Sequence, residues 1–229
     1  MSTINLTDTQ MDILSEMANI GCNSALTALG KLLKRETRVS STNVKFLSLS
    51  QVSQFSSIEI LERPVELSIV AAASVAGDLR GSLLINFPKD TAVLITSFMT
   101  KKNGLLGPRQ VIRKEFFDLK VLQKVAGVLT QKYVESVQKF ADLDIYVSSD
   151  SFMSTTYGRS IIDVIMSTTG LDVKGTLLVV TDAGSYILGH REKKRKILFT
   201  LGVTFTLGMT STLRLLEKME RKISLSGRC

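Results

Sequence analysis

The sequence predicts an α+β fold (α/β in the broad sense) with a pseudo-two-fold internal duplication. Two similar halves join their strands into one continuous, mainly antiparallel sheet, and a long helix from each half packs on one face. Three observations predict it. Two long amphipathic stretches, one near residue 10 and one after residue 115, each precede a group of short apolar runs. The segment LSEMANIG (Leu14 to Gly21) is echoed by LQKVAGVL (Leu122 to Leu129), an offset of 108 residues. LRGSLLINF (Leu79 to Phe87) is echoed by VKGTLLVVT (Val173 to Thr181), an offset of 94. Similar segments in the same order in two halves of a chain are the mark of a repeat.

The elements follow in order. Thr7 and Gln10 have capping-box spacing, and Asp8 sits in the first turn, where backbone dipoles favour an anion. A helix is predicted from Asp8 to Lys34. Its positions 14, 17, 18, 21, 25, 28, 29 and 32 are Leu, Met, Ala, Gly, Ala, Ala, Leu and Leu, an apolar stripe at helical spacing. Many of these are small, so the helix can approach its support closely. Extended segments are predicted at 44–49, 64–76 and 79–87. Pro88 punctuates, and Asp90 is placed to cap a helix from Thr91 to Thr100. KKNGLLGPRQ (101–110) reads as a loop. A second amphipathic helix is predicted from about Phe117 to Phe140, then strands at 143–147, 160–167 and 171–181. Between Ile197 and Met209 apolar and polar residues alternate as in a strand, and a short helix closes the chain at 211–222. The expected layout is a domain over 1–190, with repeat one at about 7–105 and repeat two at about 115–190. Residues 191–229 are expected to be a basic strand and helix extension packed on the same domain.

The 229 residues are 44% apolar, which excludes a disordered chain and allows a sizeable core. The net charge is +8, and the 40 residues from His190 hold a surplus of seven of it, ten Lys/Arg against three acids. The base is therefore local, not a property of the fold. Two cysteines, Cys22 and Cys229, exclude a disulfide scaffold and suit a reducing cytoplasm. MSTINLTDTQ has no basic or apolar signal-peptide region, and no run reaches the roughly 20 apolar residues of a spanning helix. A cytoplasmic chain without stable membrane insertion is expected. The glycines form neither GxGxxG nor a P-loop. Four tyrosines and no tryptophan offer little for base stacking, so no nucleic-acid partner is expected. His190, the single histidine, reads as a solvated loop residue.

The first helix has an unusual polar side. At about 100° per residue, Asp12, Glu16, Asn19 and Asn23 share a sector of about 60° opposite the apolar stripe. None is lysine or arginine. The arc reads either as a solvated surface or as a working face. A carboxylate can receive an ammonium group, and a carboxamide one turn away can donate and accept at once, orienting a water for attack. Neither is a strong nucleophile. Cys22, on the flank, reads as a small buried or half-buried residue.

The segment from Asp12 to Leu29 resembles the signature of the CheC/CheX/FliY family of chemotaxis phosphatases: Asp or Ser, three residues, Glu, two residues, Asn. Asp12, Glu16 and Asn19 match each position, and Ile20, Gly21 and the small residues after them match the continuation. The resemblance covers the layout to about residue 190 and is closest to CheC-like proteins. It implies a helix that docks against a phosphorylated CheY-like response regulator in two-component signalling. Asn19 would orient the water that hydrolyses the aspartyl phosphate, and Glu16 would contact the regulator's lysine. Asp12 and Asn23 would support the contact. The magnesium belongs to the regulator, so no cofactor or metal of the chain's own is implied.

Two departures stand out. Family members carry a proline about 22 residues after the asparagine, where this chain has Thr42 or its neighbours. CheC-type proteins often have a centre in each repeat, yet the second helix has Lys124 at the glutamate position and Gly127 at the asparagine position. An ammonium does not receive a lysine, and glycine holds no water, so the second centre is expected to be dead. The resemblance leaves an alternative, a non-catalytic adaptor that binds a response regulator or a CheD-type receptor deamidase. A FliY-like switch component is disfavoured, because those proteins carry a further C-terminal domain.

Overall fold

A computed structural model of the chain describes residues 6–48, 67–100, 117–157, 176–188 and 196–226. The first helix, α1, spans Asp8–Leu33. Its capping box forms: the Thr7 amide donates to Gln10 Oε1 at 3.1 Å, and the Gln10 amide donates to Thr7 Oγ1 at 3.3 Å. It ends at Lys34, whose backbone is left-handed at φ 51°, with the Arg35 amide returning to the Gly30 carbonyl. The apolar stripe is buried as the spacing predicts, Leu14, Met17, Ala18, Ala25 and Leu29 completely.

Strands β1 (Thr37–Ser48), β2 (Leu67–Gly77) and β3 (Gly81–Pro88) follow, then helix α2 (Lys89–Met99). Asp90 was expected to cap α2 but lies inside its first turn. Pro88 is the cap residue, and no side chain bonds there. Helix α3 spans Leu119–Ala141, and the Asp118 carboxylate accepts from the amides of Lys120 and Val121 at 2.9 and 3.3 Å. Strands β4 (Ile145–Tyr157), β5 (Thr176–Leu188) and β6 (Lys196–Gly208) and helix α4 (Met209–Ser226) complete the order. The predicted loop at 101–110 and strand at 160–167 lie outside the described residues.

The six strands form one sheet in the order β1-β5-β6-β3-β2-β4, every neighbouring pair antiparallel. Exchanging the halves, β1 with β4, β2 with β5 and β3 with β6, turns this order into its own reverse. A pseudo-two-fold axis therefore passes between β3 and β6. The helices agree: α3 ends in left-handed Asp142 at φ 52°, 108 residues after Lys34, the offset of the LSEMANIG echo. The stronger-looking echo is a different matter. LRGSLLINF falls on β3, whereas the described part of VKGTLLVVT falls on β5, and these are not counterparts. Their likeness reflects the shared needs of apolar inner strands. Residues beyond 190, expected as an extension, supply β6 at the centre of the sheet and α4.

One core joins sheet and helices. Ile69, Ala71, Leu83, Ile85, Phe87, Val203, Phe205 and Leu207 alternate along the inner strands and meet the buried stripes of α1 and α3. The two long helices pack on each other. A Cβ added at Gly21 would lie 2.5–2.7 Å from the Tyr133 ring, so glycine is what lets that ring reach α1. The ring packs edge-on against Phe205, with centroids 6.0 Å apart. The short helices bridge the ends. Asp118 donates its amide to Thr96 Oγ1 of α2 at 3.1 Å, and the Arg35 guanidinium lies 5.7 Å over the Phe98 ring. At the other end, α4 bonds both to the start of α1 and to the end of α3.

Candidate functional site

The polar arc of α1 faces outward. Asp12, Glu16 and Asn23 are exposed, and Asn19 is half-buried. All four therefore sit on one helix, as the spacing requires, with neighbouring Cβ atoms three and four residues apart separated by about 5–6 Å. The side chains of Asp12 and Glu16 make no hydrogen bond or ion pair with any described residue. Asn19 differs. Its Oδ1 is buried and has no hydrogen-bond partner among the described residues. Asn23 keeps its side chain free, and its backbone carbonyl accepts from Thr27 Oγ1 at 2.8 Å.

The electrostatics of the arc are one-sided. Asp8, Asp12 and Glu16 occupy the first half of α1, and its only cation, Lys31, is in the last turn. Behind the arc the helix is held from three sides: by the apolar stripe on the sheet, by Tyr133 against Gly21, and by Gln10 Nε2 donating to Glu220 Oε1 at 3.1 Å. Burial pushes the Tyr133 phenol well above the ordinary tyrosine range, and nearby Cys22 adds to the shift. Cys22 itself is buried and forms no disulfide.

At the matching place on α3, Lys120, Lys124, Gly127 and Gln131 are exposed. Each stands 108 residues after Asp12, Glu16, Asn19 and Asn23 in turn. A Cβ added at Gly127 would meet no atom within 4 Å. The second helix thus presents the same ridge with cations for carboxylates and a gap for the carboxamide.

Thr42 lies within β1, opposite Ala183 of β5. The strand begins at Thr37, ahead of the predicted start, and its register shifts between Val39 and Ser41. His190 is outside the described residues. Among the described residues, no group of three or more His, Cys, Asp or Glu side chains is arranged to hold a metal, and no helix is long and apolar enough to cross a membrane. Sequence reasoning missed Tyr133 as the ring behind Gly21. It also missed the bond from Gln10 to Glu220, 210 residues away. No local pattern signals a contact at that separation.

No protein-family model matches the chain. In sequence it is similar to the CheY-P phosphatase CheC of Bacillus subtilis (strain 168). The two are 23% identical over 213 residues, covering 88% of this chain and 92% of CheC. In fold it is similar to FliY of Thermotoga maritima, with a TM-score of 0.65 and 16% identity over 96% of this chain and all of that one. The FliM middle domain from H. pylori shares the fold more distantly, with a TM-score of 0.54 and 8% identity over 93% of this chain and all of that one. These likenesses do not single out CheC as the nearest relative, which corrects the narrower expectation from the motif.

Proposed function

We propose that this chain, a member of the CheC/CheX/FliY superfamily by its sequence match to CheC and its shared fold, is a phosphatase that hydrolyses the aspartyl phosphate of a CheY-like response regulator in the cytoplasm. The arc of α1 is the docking face. The regulator brings the phosphorylated aspartate and its own magnesium. Glu16 receives the regulator's lysine ammonium, and Asn19 holds a water in line with the phosphorus. The water oxygen attacks phosphorus and the bond to the aspartyl oxygen breaks, leaving phosphate and a free carboxylate. Neither residue forms a covalent bond, so the contribution is positioning, a lowering of the entropic barrier to attack. Asp12 and Asn23 flank the pair and widen the contact.

One observation carries this reading. Asn19 keeps a buried acceptor without a donor on an otherwise solvent-facing arc, one turn from an unpaired Glu16. An orphaned buried oxygen costs about 1–3 kcal/mol, and merely solvated residues do not carry such a cost. An outward turn of the Asn19 amide toward a docked water or N–H group would relieve it. The low match of Lys124 and Gly127 to the same pattern makes the chain a one-centre phosphatase.

The test is dephosphorylation of a CheY-like regulator charged with acetyl phosphate. Wild type is expected to speed phosphate release. Asn19→Ala is expected to remove most of the acceleration, on the order of 100-fold for the loss of a positioning group, with the fold intact by circular dichroism. Glu16→Ala is expected to weaken docking as well as rate. An N19A protein as fast as wild type would sink the proposal.

A further inference from the structure

The polar arc of α1 continues past Asn23 to the end of the helix. Beyond the first turn, the exposed residues of α1 are Asp12, Glu16, Asn23, Thr27 and Lys31, and the cap residue Lys34 is exposed as well. At about 100° per residue, the five on the helix and half-buried Asn19 share one sector of about 120°. One stripe therefore runs along α1 in three parts. Carboxylates stand at its start, amides and a hydroxyl in its middle, and ammonium groups at its end. The side chains of Lys31 and Lys34, like those of Asp12 and Glu16, make no hydrogen bond or ion pair with any described residue.

The spacing is close to symmetric about Asn23. Asp12, Glu16 and Asn19 precede it by 11, 7 and 4 residues, and Thr27, Lys31 and Lys34 follow it by 4, 8 and 11. A second α1 laid antiparallel along the stripe, with the two Asn23 side chains at the dyad, sets Asp12 opposite Lys34 and Glu16 opposite Lys31. The two-fold makes each pairing twice. Asn19 falls opposite Thr27, and Ile20, half-buried in the same sector, adds an apolar contact near the centre. A parallel α1 would set carboxylate on carboxylate. α3 has Lys120 and Lys124 at its start and Lys139 near its end, all exposed, and so has no acidic half to offer.

We propose that this stripe is an interface between two copies of the chain, an antiparallel pairing of α1 with α1 that covers the arc. The face is self-complementary in position and opposite in charge, as a closed two-fold contact requires. The pairing follows from the charge pattern, while its consequence for activity rests on the phosphatase reading of α1. In the dimer Glu16 is held by the partner's Lys31 and Asn19 is covered, so neither can receive a regulator. A second copy and a regulator compete for one face, and activity per molecule falls as the protein concentrates. Exposed ion pairs are individually weak and screened by salt, so the association is reversible and salt-sensitive.

The test is sedimentation velocity of the full chain over a range of concentrations, at low and high salt. Wild type is expected to pass from monomer to dimer at low salt and to dissociate at high salt. K31E/K34E makes the stripe acidic at both ends, and D12K/E16K makes it basic at both. Each variant alone is expected to weaken self-association about tenfold or more. Mixed in equal amounts, the two are expected to pair with each other at least as tightly as wild type, because every facing pair is again unlike. A wild type that stays monomeric at low salt overturns the proposal. So does either variant dimerising like wild type, or a mixture that stays monomeric while both proteins are folded by circular dichroism. Phosphate release from a charged CheY-like regulator is read alongside. Release per molecule is expected to fall with concentration for wild type and to stay constant for K31E/K34E, and a dimer as active as the monomer overturns the covering of the arc. A wild type that dimerises but speeds no release even when dilute overturns the phosphatase reading and leaves the interface standing.

Discussion

Two buried polar atoms of similar kind have opposite meanings here. Tyr133 is completely buried, and its hydroxyl has no hydrogen-bond partner among the described residues. It lies in the core, between Gly21 and Phe205, where no ligand arrives. Its value is the ring, and the hydroxyl is a cost. Tyr133→Phe keeps the ring and removes the orphan, so it is expected to stabilise the protein by about 1 kcal/mol. Urea denaturation would show this as a higher midpoint at unchanged slope, while a lower midpoint would reveal a partner for the hydroxyl. Asn19 Oδ1 is also orphaned, but on the outward arc of the same helix pair. The same physical cost is a packing compromise at Tyr133, while at Asn19 we propose that an outward turn of the amide toward a partner relieves it.

The element we propose as the working one is α1, and its stability rests on its ends as well as its stripe. The Thr7 hydroxyl accepts the Gln10 amide, while Gln10 returns its carbonyl to Thr7 and lends its amide group to Glu220. Thr7→Ala removes the first of these bonds and is expected to cost about 1 kcal/mol of unfolding free energy, read by the same denaturation. This capping box and the four-residue arc were legible in the sequence because both are written within one or two helical turns. The strands were legible only in part. β1 was expected at 44–49 and runs Thr37–Ser48, and β4 was expected at 143–147 and runs Ile145–Tyr157. The missing parts, such as TRVSST and SSDSFMSTTY, are rich in Ser and Thr and show little hydropathy contrast. They are strands because β5 and β2 offer them backbone partners along their length, a tertiary cause that local patterns do not record. The bond from Gln10 to Glu220 is invisible for the same reason.

At the scale of the whole molecule, the pseudo-two-fold axis gives one chain two versions of the same ridge. The helices share an offset of 108 residues from the motif to the left-handed caps at Lys34 and Asp142, so Lys124 and Gly127 stand in the frame of Glu16 and Asn19. On the proposed reading, the difference between a live and a silent centre then reduces to side chains. Nothing steric closes the second one: Gly127 is exposed, and a Cβ there would meet no atom within 4 Å. Replacing glycine within an exposed helix also gains a few tenths of a kcal/mol in helix propensity. K124E/G127N should therefore fold at least as well as wild type. Introduced into N19A, the pair is expected to raise phosphate release from a charged regulator about tenfold over N19A alone, or about 1.4 kcal/mol of barrier. Lys120 stands where Asp12 does on α1, so adding K120D should raise it further. A folded N19A/K120D/K124E/G127N protein no faster than N19A would mean that the ridge on α1 draws on surroundings that the symmetry does not repeat.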